Sequence, residues 1–325
     1  MKNYKTSAWS RKVTRQQAEL KKKLWPRLPP GFHQKTERHY DHILPEGYEK
    51  LAFYPPIADA VFEYASERNL KIHDEIRNLK SSQACCFNFL FPLKLDLEAA
   101  ALALRHFHPT LESVKDLDFE YTGPSELTDW LGEPEYGRPG YKRTSIDCAV
   151  FWTSNDGNPH VTLIEWKYTE VAFGTCSSQK TSCRKDDYQK NCPLVHGSIE
   201  RPRRYFECLE EAEINLSKIP SVGCPFRGAI YQLMRQSLVA FWVKENIGLE
   251  PHLVSLNFTE NTSTESIEAE YYNSAMTSLL ELWNLAVPAD LSFQSWAVES
   301  LLDVVREDSR DWLQEHYFPA FQANE

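Results

Sequence analysis

The 325-residue chain has no apolar run approaching the roughly 20 residues that a membrane span requires. Its longest candidates, EAAALAL and LVAFWV, are the size of core segments. It has no Walker loop, no GxGxxG after a strand, no HExxH and no GxSxG. The usual sequence marks of phosphate cradles, zinc proteases and serine hydrolases are therefore missing. No CxxC pair occurs, and the cysteine spacings match no standard zinc module. There is no internal repeat and no low-complexity segment. The N-terminal MKNYKTSAWSRKVTR is basic but carries no apolar h-region, so no secretory signal is expected and the expected location is cytoplasmic. Positive charge is also short: the formal net charge is −10, which argues against broad, non-specific coating of nucleic acid. It leaves room for a local site whose acids are balanced by metal ions.

Hydrophobic residues make up 42% of the chain and charged residues 25%, an ordinary globular composition. The length is large for one compact domain without demanding two. The charge is unevenly spread. Residues 1–34 hold nine Lys or Arg against one acid, Glu19, which is +8; the remainder is therefore −10 − 8 = −18. A basic arm on an acidic body can neutralise phosphates. The plainer alternative is a solvated, partly helical tail.

Three regions are expected. Residues 1–48 form a basic N-terminal arm, broken by WPRLPPGFH. Residues 49–260 form an α/β core with an insertion at about 171–223, and residues 261–325 form a helical extension packed on the core. Residues 55–80 read as helical after a Pro pair, and DLEAAALALRHFH reads as a strong helix with Asp96 and Glu98 in its first turn. DLDFEYTG (116–123) is a short strand candidate. RTSIDCAVFWTS (143–154) and PHVTLIEWKYTE (159–170) are the two best strands, joined through NDGN as a hairpin. RGAIYQLMRQSLVAFWVKEN (227–246) reads as a helix, PHLVSLNF (251–258) as a strand, and the segments from about 264 onward as helices. This order fits a mixed sheet flanked by helices.

The hairpin carries three charges in otherwise core-like strands. Side chains alternate along a strand, so Glu165 and Lys167 share a face with Val161 and Leu163, while Asp147 shares one with Ser145, Ala149 and Phe151. An odd-length loop centred on Asp156 sets Asp147 directly opposite Glu165, with Cβ atoms about 5 Å apart. A strict two-residue turn at Asp156-Gly157 would slip the register by one and send Asp147 to the other face. The longer loop is expected. Two facing acids repel, and desolvated carboxylates are costly unless compensated. A divalent cation removes that conflict and can activate a water for attack on a phosphodiester.

Asp147 followed by Glu165-Trp166-Lys167 on the next strand resembles the active-site signature of the PD-(D/E)XK nuclease superfamily. The order of elements over roughly residues 80–260 is similar to that superfamily's restriction-endonuclease-like core. The chain also resembles a prokaryotic branch with an SSQ…FN segment before the core, here Ser81, Ser82, Gln83, Phe87 and Asn88. It departs from the pattern where Ser145-Ile146 replaces a Pro before Asp147. The resemblance implies a metal-dependent nuclease acting on nucleic acid, DNA favoured over RNA. Asp147 and Glu165 would hold Mg²⁺ or Mn²⁺, and Lys167 would position or stabilise the nucleophile. Glu98 would be an extra acid near the metal, or simply a helix-end charge. Gln232 and Arg235, three apart on one helix face, would approach the site, Arg235 together with Gln83 facing nucleic acid; otherwise they are helix surface. The competing readings are a hairpin with solvated charges, or a non-catalytic nucleic-acid- or protein-binding module that reuses the fold.

Of the eight cysteines, Cys85, Cys86 and Cys148 lie in apolar runs and are expected in the core. Cys176, Cys183, Cys192, Cys208 and Cys224 fall in one polar stretch. They are either scattered reduced thiols or, with Cys176, Cys183, Cys192 and Cys224 preferred, ligands for Zn²⁺ or an iron–sulfur cluster. His106 and His108 read as a surface pair, and Lys185 and Tyr188 as a solvated loop that could touch a nucleic-acid backbone.

Overall fold

The computed structural model describes residues 7–134, 143–178, 181–197, 201–267, 271–274, 276 and 278–318. Residues 1–6 of the basic arm, 179–180 and 198–200 of the insertion, and 268–270, 275, 277 and 319–325 of the C-terminal region lie outside the described residues. No described helix is long and apolar enough to cross a membrane.

Helix α1 (Ala8–Leu24) is capped by the Ser7 hydroxyl, which accepts the Ser10 N–H. It is docked rather than free. Trp9 donates to the Tyr168 carbonyl at 2.6 Å, Gln17 donates to the His316 carbonyl at 2.6 Å, and the buried Lys21 ammonium donates to the Pro29 and Ile43 carbonyls. A small hairpin follows, β1 (Gly31–His33) against β2 (Arg38–Tyr40). Helix α2 (Pro55–Glu67) starts on its Pro pair and ends well short of residue 80. Helix α3 (Ser82–Leu95) is apolar on every side and correspondingly buried. Helix α4 (Leu97–Leu104) is capped by the Asp96 carboxylate.

The main sheet begins with β3 (Leu111–Tyr121). After α5 (Ser125–Leu131) come β4 (Ile146–Ser154) and β5 (Pro159–Lys167). Two short helices, α6 (Pro193–His196) and α7 (Tyr205–Glu211), then lead to the long α8 (Ile230–Ile247) and to β6 (Glu250–Asn257). Helix α9 (Leu279–Asn284), strand β7 (Phe293–Ala297), α10 (Glu299–Leu302) and α11 (Glu307–Tyr317) complete the described chain. The five strands stand in the order β3-β4-β5-β6-β7. The first three form an antiparallel meander, and β6 and β7 are added in parallel. The fold is thus α/β: a mixed sheet flanked by helices with helices at both ends, compatible with a restriction-endonuclease-like core.

Both faces of the sheet are covered, which explains why its strands carry few polar residues. Cys148, Val150, Trp152, Ile164 and Trp166 face a core completed by α1 to α4 and α11. Ala149, Val161, Leu163 and Leu253 face a second core completed by α5, α7, α8 and α9.

Two segments differ from the sequence reading. FQSWA, expected within a helical extension, is the strand β7 and pairs with β6 from Leu253↔Phe293 to Asn257↔Ala297. A five-residue edge strand draws its hydrogen bonds from its neighbour, a long-range partner that local periodicity does not reveal. His108, expected at the surface with His106, is buried, with Nε2 at 2.9 Å from the Thr162 hydroxyl. Burial, reinforced by His252 and His160, lowers its pKa to about 3.

The β4–β5 connection has the odd length that the acid alignment requires. Ser154 N–H donates to the Asn158 carbonyl at 3.0 Å and Gly157 N–H to the Ser154 carbonyl at 2.9 Å. Gly157 sits at φ +87°, completing a three-residue loop with a left-handed last position. The paired residues run from Cys148↔Ile164 to Thr153↔Pro159. Nothing lies within 4 Å of a Cβ placed on Gly157, so Gly157→Ala should cost about 1 kcal/mol through backbone strain alone. Urea unfolding of this variant should show that loss with an unchanged denaturant slope.

Candidate active site

The register of the meander assembles the site. One step beyond Cys148↔Ile164, Asp147 stands opposite Glu165. On the other side of β4, Phe119 pairs with Cys148 and Tyr121 with Ile146, so Glu120 falls opposite Asp147. Three acids from three adjacent strands therefore form one row across the sheet. On the far side of Glu165 the row continues through Ser255 and Ser295, which remain polar.

Glu120 has φ +51°, a region that L residues rarely adopt. Such strain is typically held in place by its surroundings and clusters at functional sites. Here the Glu120 carboxylate accepts from the Gln83 side chain at 2.8 Å, and Gln83 accepts the His73 N–H at 2.9 Å. Asp147 accepts the Trp166 backbone N–H at 2.7 Å. Glu165, only 3% exposed, is the most heavily engaged acid. Its Oε1 accepts from Lys167 Nζ at 2.5 Å and from Gln232 Nε2 at 2.6 Å, and its Oε2 accepts from Gln236. Lys167 also donates to Gln232 Oε1 at 3.3 Å and lies 5.0 Å from the centre of the Phe173 ring.

The charges do not cancel. Burial pushes the Asp147 carboxyl well above the usual carboxylate range, and repulsion from Glu165 and Glu120 adds to this. Burial also raises Glu120, with Glu165 contributing. Burial works against the Lys167 ammonium, but Glu165, Glu170 and Asp147 outweigh it and raise the pKa, so the lysine stays charged. Among the described residues, Lys167 is thus the one ammonium paired with these carboxylates.

The acid row is a wall shared by two cavities. The larger, about 490 Å³, is lined by Glu120, Asp147, Glu165 and Lys167 together with His33, Lys35, Arg77 and Lys80. The smaller, about 220 Å³, opens on the other side between the same three acids and Gln232 and Gln236 of α8. Helix α3 points its N-terminus at the larger cavity: Ser81 caps it and the Ser82 hydroxyl reaches the Trp166 carbonyl at 3.2 Å. Lys80, just before this helix, is half-buried, and burial lowers its pKa. Among the described residues no group of three or more His, Cys, Asp or Glu is arranged as a ready-made metal centre.

Of the residues expected at the site, the structure brings together Asp147, Glu165, Lys167, Gln232 and Gln83. Glu98 is not among them. It is exposed in the first turn of α4, after the C-terminal end of the 14-residue α3, which spans about 21 Å. Since the N-terminus of α3 marks the site, Glu98 lies near the opposite end of that helix, and the additional acid beside Asp147 is Glu120. Arg235 lines the smaller cavity but does not present its guanidinium to a surface ligand. It is buried, with Nε 2.9 Å from the Thr144 hydroxyl and 3.4 Å from Glu133, and braces α8 against the approach to β4. Phe87 stacks on Phe119 at 4.5 Å and Asn88 is buried between Ala52, Tyr54 and Tyr317, so these two are core residues. Sequence reasoning missed Glu120, Gln236 and Lys80. The alternating acids of DLDFEY hinted at Glu120, and Gln236 lies one helical turn beyond Gln232, but neither was tied to the hairpin without the register.

Residues 14–318 match the model of a family described as Restriction Endonuclease associating with ARP. No curated protein and no solved structure matches the chain.

The raised Asp147 carboxyl has a consequence for stability. Between the ordinary carboxylate pKa and the raised folded one, the folded chain binds more protons than the unfolded chain, so stability falls as pH rises through that window. Asp147→Asn keeps the shape and removes this loss. In metal-free buffer it should be more stable than the parent at pH 8. The gain should vanish below about pH 4, where the carboxyl is protonated in both states. Paired urea titrations at the two pH values check this.

Proposed function

We propose, from the premise that this chain belongs to the family of restriction endonucleases associating with ARP, that it is a metal-dependent nuclease hydrolysing phosphodiester bonds in DNA. The observation that carries this reading is the row of Glu120, Asp147 and Glu165 on neighbouring strands, with Lys167 two residues beyond the last acid and an open cavity alongside. The arrangement of Asp147, Glu165 and Lys167 resembles that of PD-(D/E)XK nucleases.

The donor set fits a divalent cation. Three carboxylates crowd together, two of them with raised pKa, and Lys167 compensates only one negative charge. Hard oxygen donors with an uncompensated charge suit Mg²⁺ or Mn²⁺. Asp147 and Glu165 would hold the ion, with Glu120 beside them. When bound, such an ion supplies a more acidic water and neutralises phosphate charge.

The chain's own groups have separate tasks. Lys167, hydrogen-bonded to Glu165 and lining the larger cavity, would act as a positioned cation and hydrogen-bond donor toward the phosphate. Gln232 and Gln236 hold Glu165 in place from α8. Lys80 lies at the larger cavity and, among the described residues, has no ion-pair partner; it is suited to meeting a backbone phosphate. The family description names an association with ARP, and the same proposal carries that association to this chain as a partner besides DNA.

Incubation of DNA and RNA substrates with purified protein and Mg²⁺ or Mn²⁺ tests the reading. DNA cleavage should require the ion. Lys167→Ala and Asp147→Asn should each lower the single-turnover rate by about 10²-fold or more while the variants remain folded by circular dichroism. Binding of DNA with no cleavage products under any divalent ion would replace this reading with that of a binding module. Lys80→Ala should weaken DNA binding and reduce the slope of log K against log salt by about 1, with cleavage at saturating DNA changed much less.

A further inference from the structure

Between β5 and α8 the chain runs through a long stretch held by little regular structure: α6 has four residues and α7 seven. Its ends join the second core through Phe173, Tyr205, Leu209 and Phe226, but between 181 and 204 only Cys183 is buried among the described residues, and segments with so little core of their own commonly rely on a cross-link or metal. Four of its cysteines converge. Cys176, Cys183, Cys192 and Cys224, separated by up to 48 positions in sequence, line one apolar cavity of about 20 Å³. That volume admits a single small occupant. All eight cysteines of the chain are free thiols.

The backbone around these four is cross-braced in the manner of a built site. Cys224 N–H donates to the Cys183 carbonyl at 2.9 Å, and Cys176 N–H donates to the Phe226 carbonyl at 3.1 Å. Gly223, at φ +75°, lets the chain pass so close to Cys183 that a Cβ there would lie 2.5 Å from the Cys183 carbonyl oxygen. Burial raises the Cys176, Cys192 and Cys224 thiols, and backbone amides just after them work in the opposite direction by hydrogen bonding: Ser178 for Cys176, Leu194 and Val195 for Cys192, and Phe226 for Cys224. Amide donors to sulfur are what a thiolate ligand requires once its proton has left.

We propose that Cys176, Cys183, Cys192 and Cys224 bind one structural Zn²⁺ as a four-thiolate site. Four soft thiolates in a closed, apolar pocket are the donor set of a tetrahedral structural zinc. The single-occupant volume favours one ion over an iron–sulfur cluster. The four cysteines line one cavity, but among the described residues no three such side chains are placed to hold a metal ion as they stand, so ligation would draw the connecting loops inward and release the thiol protons. The ion would tether the stretch beside the acid row. Gly174, two residues before Cys176, donates its N–H to Gln232 Oε1 at 2.7 Å, and Gln232 holds Glu165. The zinc is therefore a positioning element that acts on Glu165 through Gln232.

The test reads metal rather than cleavage, so it stands or falls apart from the nuclease reading. Full-length protein purified without chelators is analysed for metals by mass spectrometry. It should carry about one zinc per chain and no stoichiometric iron. Cys176→Ser and Cys192→Ser, at the two half-buried positions, should lose most of the zinc and melt at lower temperature. Cys208→Ser, outside the cluster, should retain it. If the serine variants do not fold, substitution of Co²⁺ into the parent protein decides: tetrahedral cobalt–thiolate absorption supports the site. Parent protein without zinc and without a cobalt–thiolate spectrum, zinc retained in both serine variants, or stoichiometric iron with cluster absorption would each overturn it.

Discussion

Three carboxylates in one row of a sheet covered on both faces, with Lys167 the ammonium paired to them among the described residues, form the constraint on which the site depends. Glu120, Asp147 and Glu165 cannot separate, because the ladder hydrogen bonds of β3, β4 and β5 fix their spacing. Mutual repulsion at that spacing, in partly dry surroundings, is costly. The neighbours answer that cost. Lys167, Gln232 and Gln236 converge on Glu165, Gln83 reaches Glu120, and the Trp166 amide meets Asp147. Even the left-handed backbone at Glu120 is maintained inside this frame.

The position of the row follows from the layers. Along most of their length the strands are pressed between two apolar cores, where charge would be intolerable. Toward the C-terminal end of β5 two cavities meet the acids, one lined by the start of α3 and the other by α8. Helix α3 fills one face with apolar residues and delivers its N-terminal turn, with Ser82 and Gln83, to the same place. Helix α8 does the corresponding work on the other face through Gln232 and Gln236. Arg235, one turn along, is spent on Glu133 and Thr144 and locks that helix to the approach of β4.

The irregular stretch between β5 and α8 is coupled to the site through one side chain. Gln232 accepts from Gly174 and donates to Glu165, so the placement of the loop and the orientation of the acid are parts of one hydrogen-bond path. A rigid anchor at Cys176 would be felt at Glu165 through three bonded groups, whereas a slack loop would leave Gln232 free to turn away.

The strand pair and the alternation that puts Glu165 and Lys167 on one face were legible in the residues, and the odd loop that faces Asp147 toward Glu165, one of two lengths the residues allowed, is the one the structure shows. The first two are local properties with a period of two and a short connection, so a single sequence carries them. Local rules also chose Glu98, since a first-turn acid on a strong helix looks the same wherever that helix lies. Long-range packing overrode these local rules. Glu120 enters the row through pairing across a connection of more than twenty residues, β7 becomes a strand because β6 supplies its partners, and Arg235 is withdrawn because Glu133 meets it in the core. Each of these depends on contacts distant in sequence, whose geometry is set by packing and not by the residues alone.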